Sequence, residues 1–300
     1  TWILLRRTIP QLSLIPHRWD RKLFREMCGY GAHFQFVTFS QALREPVTKT
    51  LLAKFGGLAM TGFYDMASRW VFTFRELIVQ ANLVLVPTIS SLKESDAAAI
   101  PRIYRESYRL IFFLAVPTFS ALVIFSPTVS RLWLGRYEPV FVQFVALLAL
   151  GWLVNILSNP AYVVDLGTGA LRWVSIGCAV TVILNPAVGF LVGRAFGGIA
   201  VVMVSVLSLA TGYAIVLIAY HRENHVSFRE LLPGDSFGIL FASALGVMIF
   251  LPYFCSEHSG TYGLGRIIGF MAMALVMVLP MWRHPMRKRL VGWIASQMPA

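Results

Sequence analysis

Long apolar stretches, each about the length of a membrane-spanning helix, follow one another along most of the chain. An α-helix needs about 20 mostly apolar residues to cross the hydrocarbon core of a bilayer. Eight segments meet this requirement, separated by short connections that contain glycine or proline. The predicted spans are 28–48, 60–88, 108–130, 139–158, 172–193, 198–220, 237–255 and 263–282. The pattern therefore predicts an all-α integral membrane fold of about eight transmembrane helices.

Composition agrees with a chain that lies mostly in a bilayer. Hydrophobic residues make up 57% of it and charged residues only 13%, with a mean hydropathy of +0.68. A soluble domain carries about 25% charged residues, because its surface faces water. The net charge of +12 would suit nucleic acid if the basic residues shared one soluble face. Most of them instead flank the apolar spans, so we expect contact with membrane lipids and not with nucleic acid.

The basic residues also predict how the spans are oriented. If the segment before residue 28 is cytoplasmic and the spans alternate, seventeen of the 26 Lys and Arg residues fall on the cytoplasmic side and six on the other. Cytoplasmic loops of membrane proteins usually carry this excess of positive charge. Both termini are therefore predicted to be cytoplasmic. The chain begins with Thr1 and shows no signal peptide, so we expect the natural polypeptide to start further upstream.

The second predicted span contains four ionisable side chains at positions where a charge is costly. A charge at mid-membrane costs at least about 2.5–3.5 kcal/mol, so such residues usually face a bundle interior or a hydrated cavity. At 100° per residue, one polar stripe about 80° wide is expected on this helix, and it consists of Asp65, Arg69, Thr73, Glu76 and Gln80. Arg75 and Asn82 lie together on a different face.

These side chains allow two interpretations. The first is a substrate pathway in which Arg69, Arg75 and Glu76 line water, and in which arginine binds phosphate oxygens with its planar fork. In the second, Asp65 and Arg69 simply form an ion pair one turn apart that locks the helix in place, or Asp65 lies at the membrane surface.

Two asparagines and a proline mark other candidate positions. Asn155 and Asn159 lie one helical turn apart near the end of the fourth span, and Pro160 and Gly167 are expected to break the helix there. The pair is either a gate at the cytoplasmic end or a helix end whose polar groups are satisfied locally. Pro117 lies in the middle of its span and is a candidate hinge, although membrane helices generally tolerate proline.

The sequence contains no catalytic or metal-binding pattern. Its three cysteines are far apart and lack the spacing of a metal or redox site. His221 and His225 have the spacing of a zinc-binding helix, but Arg222 stands where this motif requires glutamate. We therefore expect neither an enzyme nor a bound cofactor or metal.

The stretch from Lys49 to Glu94 carries a series of motifs that resemble a known family. Its matching residues are Phe55, Gly56, Gly57, Gly62, Tyr64, Ala67, Pro87, Ile89, Ser90 and Leu92. Further matches follow at Phe125-Ser126-Pro127, Leu132-Trp133-Leu134-Gly135 and Asn159-Pro160-Ala161-Tyr162. In this order they resemble the later helices of polysaccharide-transport flippases in the multidrug/oligosaccharidyl-lipid/polysaccharide (MOP) superfamily, which has a MATE-like fold.

This resemblance implies an architecture and a function. Family members have twelve core helices in two six-helix halves around a central cavity, some with two more helices. The chain would then comprise a basic cytoplasmic connecting segment (1–27), the second six-helix bundle (28–220) and two additional helices (221–300), with the N-terminal half missing. The implied function is the flipping of a lipid-diphosphate-linked oligosaccharide across the bacterial inner membrane by alternating access. Arg69 and Arg75 would then meet the diphosphate.

Three other functions remain open at this point. A cation-coupled drug or metabolite antiporter of the same superfamily would depend on Glu76 more than on the arginines. A polytopic enzyme acting on lipid-linked sugars would usually carry a large outer loop, whereas every predicted outer loop here is short. A lipid-binding scaffold that transports nothing would tolerate the loss of Arg75.

Overall fold

The computed structural model describes residues 20–287, apart from residue 233 and residues 256–263. Eight α-helices and three short 3-10 segments make up this part of the chain, which contains no β-strand. The helices are α1 (Arg21–Leu83), α2 (Leu85–Ser95), α3 (Ile100–Leu134), α4 (Pro139–Thr168), α5 (Arg172–Phe196), α6 (Gly198–Glu223), α7 (Phe237–Cys255) and α8 (Leu264–Arg283). The predicted all-α fold is confirmed.

Helix α1 consists of two arms that fold back on each other. Its 63 residues would extend about 95 Å as one straight helix, roughly three times the thickness of the hydrocarbon core. At Gly57 the backbone leaves the helical region, with φ 83° and ψ 170°. Lys49 and Asp65 are equally distant from Gly57 in the sequence and form an ion pair. The first arm (21–56) and the second arm (58–83) therefore run side by side, as the first two predicted spans require.

The conformation of Gly57 leads to a stability prediction. Only glycine adopts this region of φ and ψ without strain, so Gly57→Ala is expected to lower the free energy of unfolding by about 1–3 kcal/mol. A β-carbon at this position would meet no atom within 4 Å, so backbone strain alone causes the loss. Thermal unfolding of the purified protein in detergent measures the effect. Gly62→Ala is the control, because Gly62 is helical and has equally open space around it, and it should unfold no earlier than the wild type.

Six helical stretches of the described residues are long and apolar enough to cross a bilayer, and the first of them contains both arms of α1. The apolar part of α8, Ile268–Arg283, is shorter. Each of the eight predicted spans thus has a helical counterpart, although residue 263 of the last span lies outside the described residues. The structure is that of a multi-pass membrane protein. Of the predicted termini, residues 1–19 and 288–300 also lie outside the described residues.

Helix α4 corrects one expectation from the sequence. The helix was predicted to break at Pro160, but it continues to Thr168 and ends only at Gly169, which has φ 79°. Proline removes a single backbone hydrogen bond, and the close packing around this part of α4 holds the helix together. Asn155 and Asn159 therefore lie inside a helix and do not form a helix end. Pro117 likewise lies within α3, which runs unbroken from Ile100 to Leu134, and its role as a hinge stays a prediction.

The helices pack around two main apolar clusters. One joins both arms of α1 to α3, α4 and α6, and the other lies nearer the start of α3 and the end of α6. Helix α7 packs on α3, and α8 packs on α7 through Phe250, Phe254, Met273 and Met277. The division of the chain into a six-helix bundle and two added helices stays a prediction.

Candidate functional site

A cavity of about 490 Å³ lies between the two arms of α1 and helices α4 and α6. Its polar lining comes mostly from the first arm, and its aromatic lining comes from three different helices. We call it the arginine cavity. Its lining side chains are Gln41, Ala42, Arg44, Glu45, Pro46, Lys49, Phe72, Arg75, Trp152 and Tyr213. Three cationic groups thus face a single carboxylate, and that carboxylate, Glu45, is already paired with Lys49 at 2.9 Å.

Trp152 of α4 brings the two arginines of this cavity together. The guanidinium carbon of Arg44 lies 4.5 Å from the centre of the indole ring, and that of Arg75 lies 5.1 Å from it. Both distances are within the range of cation–π attraction. The ring is 5% exposed, and its Nε1–H has no hydrogen-bond partner among the described residues. A buried donor without a partner is costly, and the two guanidinium groups over the ring face are what this tryptophan holds in the cavity.

Arg75 is held by its neighbours in a fixed orientation. Its Nε donates a hydrogen bond to Oδ1 of Asn155 at 3.1 Å, and its Nη1 donates to Oε2 of Glu76 at 2.7 Å. The side chain is only 15% exposed. No described residue accepts a hydrogen bond from Nη2, which leaves one edge of the guanidinium fork available in the cavity. Gln80 in turn donates to Glu76 at 2.5 Å, so that carboxylate is engaged on both oxygens.

Asp65 and Arg69 lie outside the arginine cavity. Nζ of Lys49 lies 2.5 Å from one oxygen of Asp65, and Nε of Arg69 donates to the other at 2.8 Å. The carboxylate is thus satisfied from both arms of α1, and the pair one turn apart that the sequence allowed is present. The Arg69 side chain is 78% exposed on the surface of the second arm. Thr73 and Gln80 are also exposed on this arm, so three of the five residues of the polar stripe face outward, whereas Asp65 and Glu76 are half-buried.

Asn159 takes part in a separate buried network. Nδ2 of Asn82 donates to Oδ1 of Asn159 at 2.7 Å, and the hydroxyl of Ser107 donates to Oδ1 of Asn82 at 2.6 Å. The three residues join the second arm to α4 and α3. Arg75 and Asn82, which share a face of the second arm, therefore both form hydrogen bonds to side chains of α4. Of the two asparagines singled out in the sequence, only Asn155 reaches the arginine cavity through Arg75.

The sequence pattern did not indicate Arg44, Lys49 or Trp152 as site residues. Arg44 and Lys49 were counted as basic residues near the end of the first span, and Trp152 as an apolar residue of the fourth. The one available signal was an arginine inside the apolar segment 28–48, where a cation needs a carboxylate or an aromatic ring. The ring that stabilises it comes from a helix more than 100 positions later in the chain.

The fold and the cavity define a class: a multi-pass, all-α membrane protein that holds partly desolvated arginines against aromatic rings in a cavity between its helices. Comparison with known proteins makes this more specific. Residues 8–140, which include both arms of α1, match the family described as "Polysaccharide biosynthesis protein". None of the curated proteins matches the chain.

Among solved structures, the fold is similar to that of the lipid II flippase MurJ in its inward closed conformation. The TM-score is 0.64 at 13% sequence identity, and the match covers 93% of this chain and 58% of the MurJ chain. At this sequence identity, the comparison shows only that the two proteins have similar folds. The chain spans somewhat more than half the length of MurJ. The resemblance to flippases noted in the sequence is confirmed at the level of the fold and of the partial family match.

Proposed function

We propose that this protein moves a lipid-diphosphate-linked oligosaccharide across the bacterial inner membrane, for surface polysaccharide biosynthesis and by alternating access. The observation that carries the proposal is the arginine cavity. Arg44 and Arg75 lie against the same tryptophan ring there, and the cavity lining has more cationic groups than carboxylates. A diphosphate is the part of such a substrate that would be hardest to move through a bilayer, because its charges lose their water. Fixed guanidinium groups replace that water most effectively.

The contacts within the cavity indicate a different role for each of its cationic residues. Asn155 and Glu76 orient Arg75 so that its free edge can bind phosphate oxygens. Arg44 supplies the second positive charge, and the Trp152 ring holds both guanidinium groups by cation–π contact. Lys49 is tied to Glu45 and Asp65 and mainly joins the two arms. Binding of this kind involves no covalent step, so under this proposal the chain is not an enzyme.

The outward polar stripe gives the proposal its second part. The exposed stripe residues Arg69, Thr73 and Gln80 would be costly against lipid, so we propose that a first helical half of the same polypeptide covers them and shares a hydrated cleft with this bundle. The coverage of 58% of the MurJ chain supports this, since it leaves room for another bundle. The excess of basic residues on one side supports cytoplasmic termini for this part of the chain.

A cation-coupled antiporter is the competing proposal and would need a carboxylate that is free to bind and release a cation. Glu76, the residue it would depend on, accepts hydrogen bonds from Arg75 and Gln80 instead. The pairing of this carboxylate favours the flippase.

The proposed function can be tested in cells that make a lipid-linked oligosaccharide. When the complete gene product is depleted, the lipid-linked sugar should accumulate in the cytoplasmic leaflet, out of reach of a membrane-impermeant glycan-cleaving enzyme added outside. Restoring the protein should expose the sugar again. If depletion leaves the accessible fraction unchanged and abolishes sodium- or proton-dependent dye efflux instead, the antiporter replaces the flippase.

A further inference from the structure

A second basic cavity lies where α3 begins, against the segment that follows α6. It has a volume of about 160 Å³ and lies among Tyr104, Arg105, Tyr108, Arg109, Arg229 and Glu230. A neighbouring hollow of about 360 Å³ shares Arg105 and Arg109 with it and adds Arg102 and Glu106. None of these residues lines the arginine cavity. We call this second site the interfacial cavity.

Buried contacts build the floor and walls of the interfacial cavity. Tyr104 and Tyr108 are 1% and 4% exposed, so their rings are fixed. The hydroxyl of Tyr108 donates to the carbonyl oxygen of Leu231 at 3.1 Å, and that of Tyr104 lies 2.7 Å from Nε2 of His221. The bond to Leu231 holds the 3-10 segment Phe228–Leu231 against α3, and the contact with His221 holds α3 against the end of α6. The cavity is therefore a built pocket between two elements and not a patch of solvated arginines.

The charges of the interfacial cavity are not balanced. Arg105 lies 3.8 Å from Glu230, and Arg102 lies 3.4 Å from Glu106. Each carboxylate of the two hollows thus has one arginine nearby, and Oε2 of Glu230 is buried and accepts no hydrogen bond from a described residue, because Nε of Arg105 donates to the carbonyl oxygen of Pro101. Arg109 on α3 and Arg229 on the facing segment are exposed and form no ion pair with a described carboxylate. Two guanidinium groups on facing walls are suited to bind the oxygens of one phosphate group.

The position of the cavity along α3 indicates where that phosphate would come from. Arg109 directly precedes the apolar stretch of α3 that begins at Leu110, so the cavity lies at the depth of the lipid headgroups. Tyrosines are typical of this depth. Gly234 also lines the cavity, and α7 starts three residues later with Phe237 and Phe241, which are 61% and 63% exposed. Apolar surface for acyl chains therefore lies beside a site for a phosphate.

From this arrangement we propose that the interfacial cavity binds the headgroup phosphate of an anionic phospholipid, with Arg109 and Arg229 as its ligands and the exposed phenylalanines of α7 along its acyl chains. Such a lipid would link α3 to the segment between α6 and α7. The site is separate from the arginine cavity, and its existence does not depend on the transported substrate.

Native mass spectrometry of the purified complete gene product with added phosphatidylglycerol tests this proposal. Each direct hydrogen bond from a guanidinium group to the phosphate is worth at least about tenfold in binding, so Arg109→Gln/Arg229→Gln should weaken binding about 100-fold. The matched control is Arg172→Gln/Arg222→Gln, which removes two positive charges from the same end of the helices outside the cavity. Measured at high salt, where general surface attraction is screened, the control should stay within about twofold of the wild type.

Two further comparisons make the outcome decisive. Arg109→Lys/Arg229→Lys keeps the charge and loses the fork, so it should fold like the wild type and bind phosphatidylglycerol with intermediate strength. The proposal is overturned if Arg109→Gln/Arg229→Gln binds phosphatidylglycerol as tightly as the control Arg172→Gln/Arg222→Gln. It is also overturned if Arg109→Lys/Arg229→Lys binds this lipid as tightly as the wild type. If inorganic phosphate at millimolar concentration displaces the lipid completely from the wild type, the ligand is a soluble phosphate and the assignment to a lipid fails.

Discussion

Replacing Arg75 with glutamine is expected to reduce transport of the lipid-linked sugar by about 100-fold or more. The variant loses the positive charge that faces the cavity and leaves Glu76 without its cation. Hydrogen bonds to charged groups are worth about 1.5–3 kcal/mol each, and a diphosphate bound through a guanidinium fork would lose two of them. The measurement is the rate at which lipid-linked sugar reaches the outer leaflet, divided by the amount of folded protein in the membrane.

The interpretation of the Arg75 result depends on two controls. Arg75→Lys keeps the charge but replaces the planar fork with three donors on a single nitrogen, so it cannot bind phosphate bidentately and should retain intermediate transport. Arg194→Gln removes an exposed charge at the end of α5, outside both cavities, and should transport within about twofold of the wild type. If Arg75→Gln transports as well as Arg194→Gln, the arginine cavity does not bind the substrate, and the scaffold interpretation gains support.

Gly177→Val is expected to prevent normal packing of α5 against α6 and to lower the free energy of unfolding by about 3 kcal/mol or more. A β-carbon on Gly177 would collide with the backbone carbonyl oxygen of Gly212, which cannot rotate away as a side chain can. It would also meet Val216 at 3.1 Å. Membrane helices lack a hydrophobic driving force between them and depend on such close contacts between small residues. Overpacking against a backbone therefore forces the two helices apart.

The yield of monodisperse protein after detergent extraction and its thermal unfolding temperature measure the effect at Gly177. Gly246→Ala in α7 is the control, because its β-carbon would meet Ile124 and Met277 at the ordinary distances of 3.5 and 3.8 Å. We expect this control to unfold within about 0.5 kcal/mol of the wild type. Normal extraction and stability of Gly177→Val would show that α5 and α6 are further apart than the structure places them.

Helix α1 illustrates how much of the fold could be predicted and where prediction ended. The two spans 28–48 and 60–88 were evident from their apolar residues, and the glycine pair at 56 and 57 marked the turn between them. That the chain remains helical on both sides of Gly57 and turns within one residue was not evident. A single glycine with positive φ is enough for such a turn, and nothing in the hydrophobic pattern distinguishes it from a longer loop.

In the candidate site, too, some side-chain contacts could be predicted from the sequence and others could not. The polar stripe of the second arm followed from helical geometry alone, because residues four apart lie on one face. The stripe contains the pairs Asp65–Arg69 and Glu76–Gln80, and both are present. Arg75 was singled out as a buried charge, but its partners Asn155 and Trp152 come from α4. Contacts between residues about 80 positions apart cannot be predicted from the pattern of a single sequence.

By itself, the sequence determined that this is an all-α membrane protein and which of its spans carries misplaced charges, because the length and polarity of each segment respond directly to the thickness of the bilayer. Only the tertiary structure decided that Arg44 and Arg75 share the Trp152 ring beside a cavity while Arg69 faces outward. The physical reason is that this meeting depends on the turn at Gly57 and on the packing of α4 and α6 against both arms, which long-range contacts establish and local patterns do not.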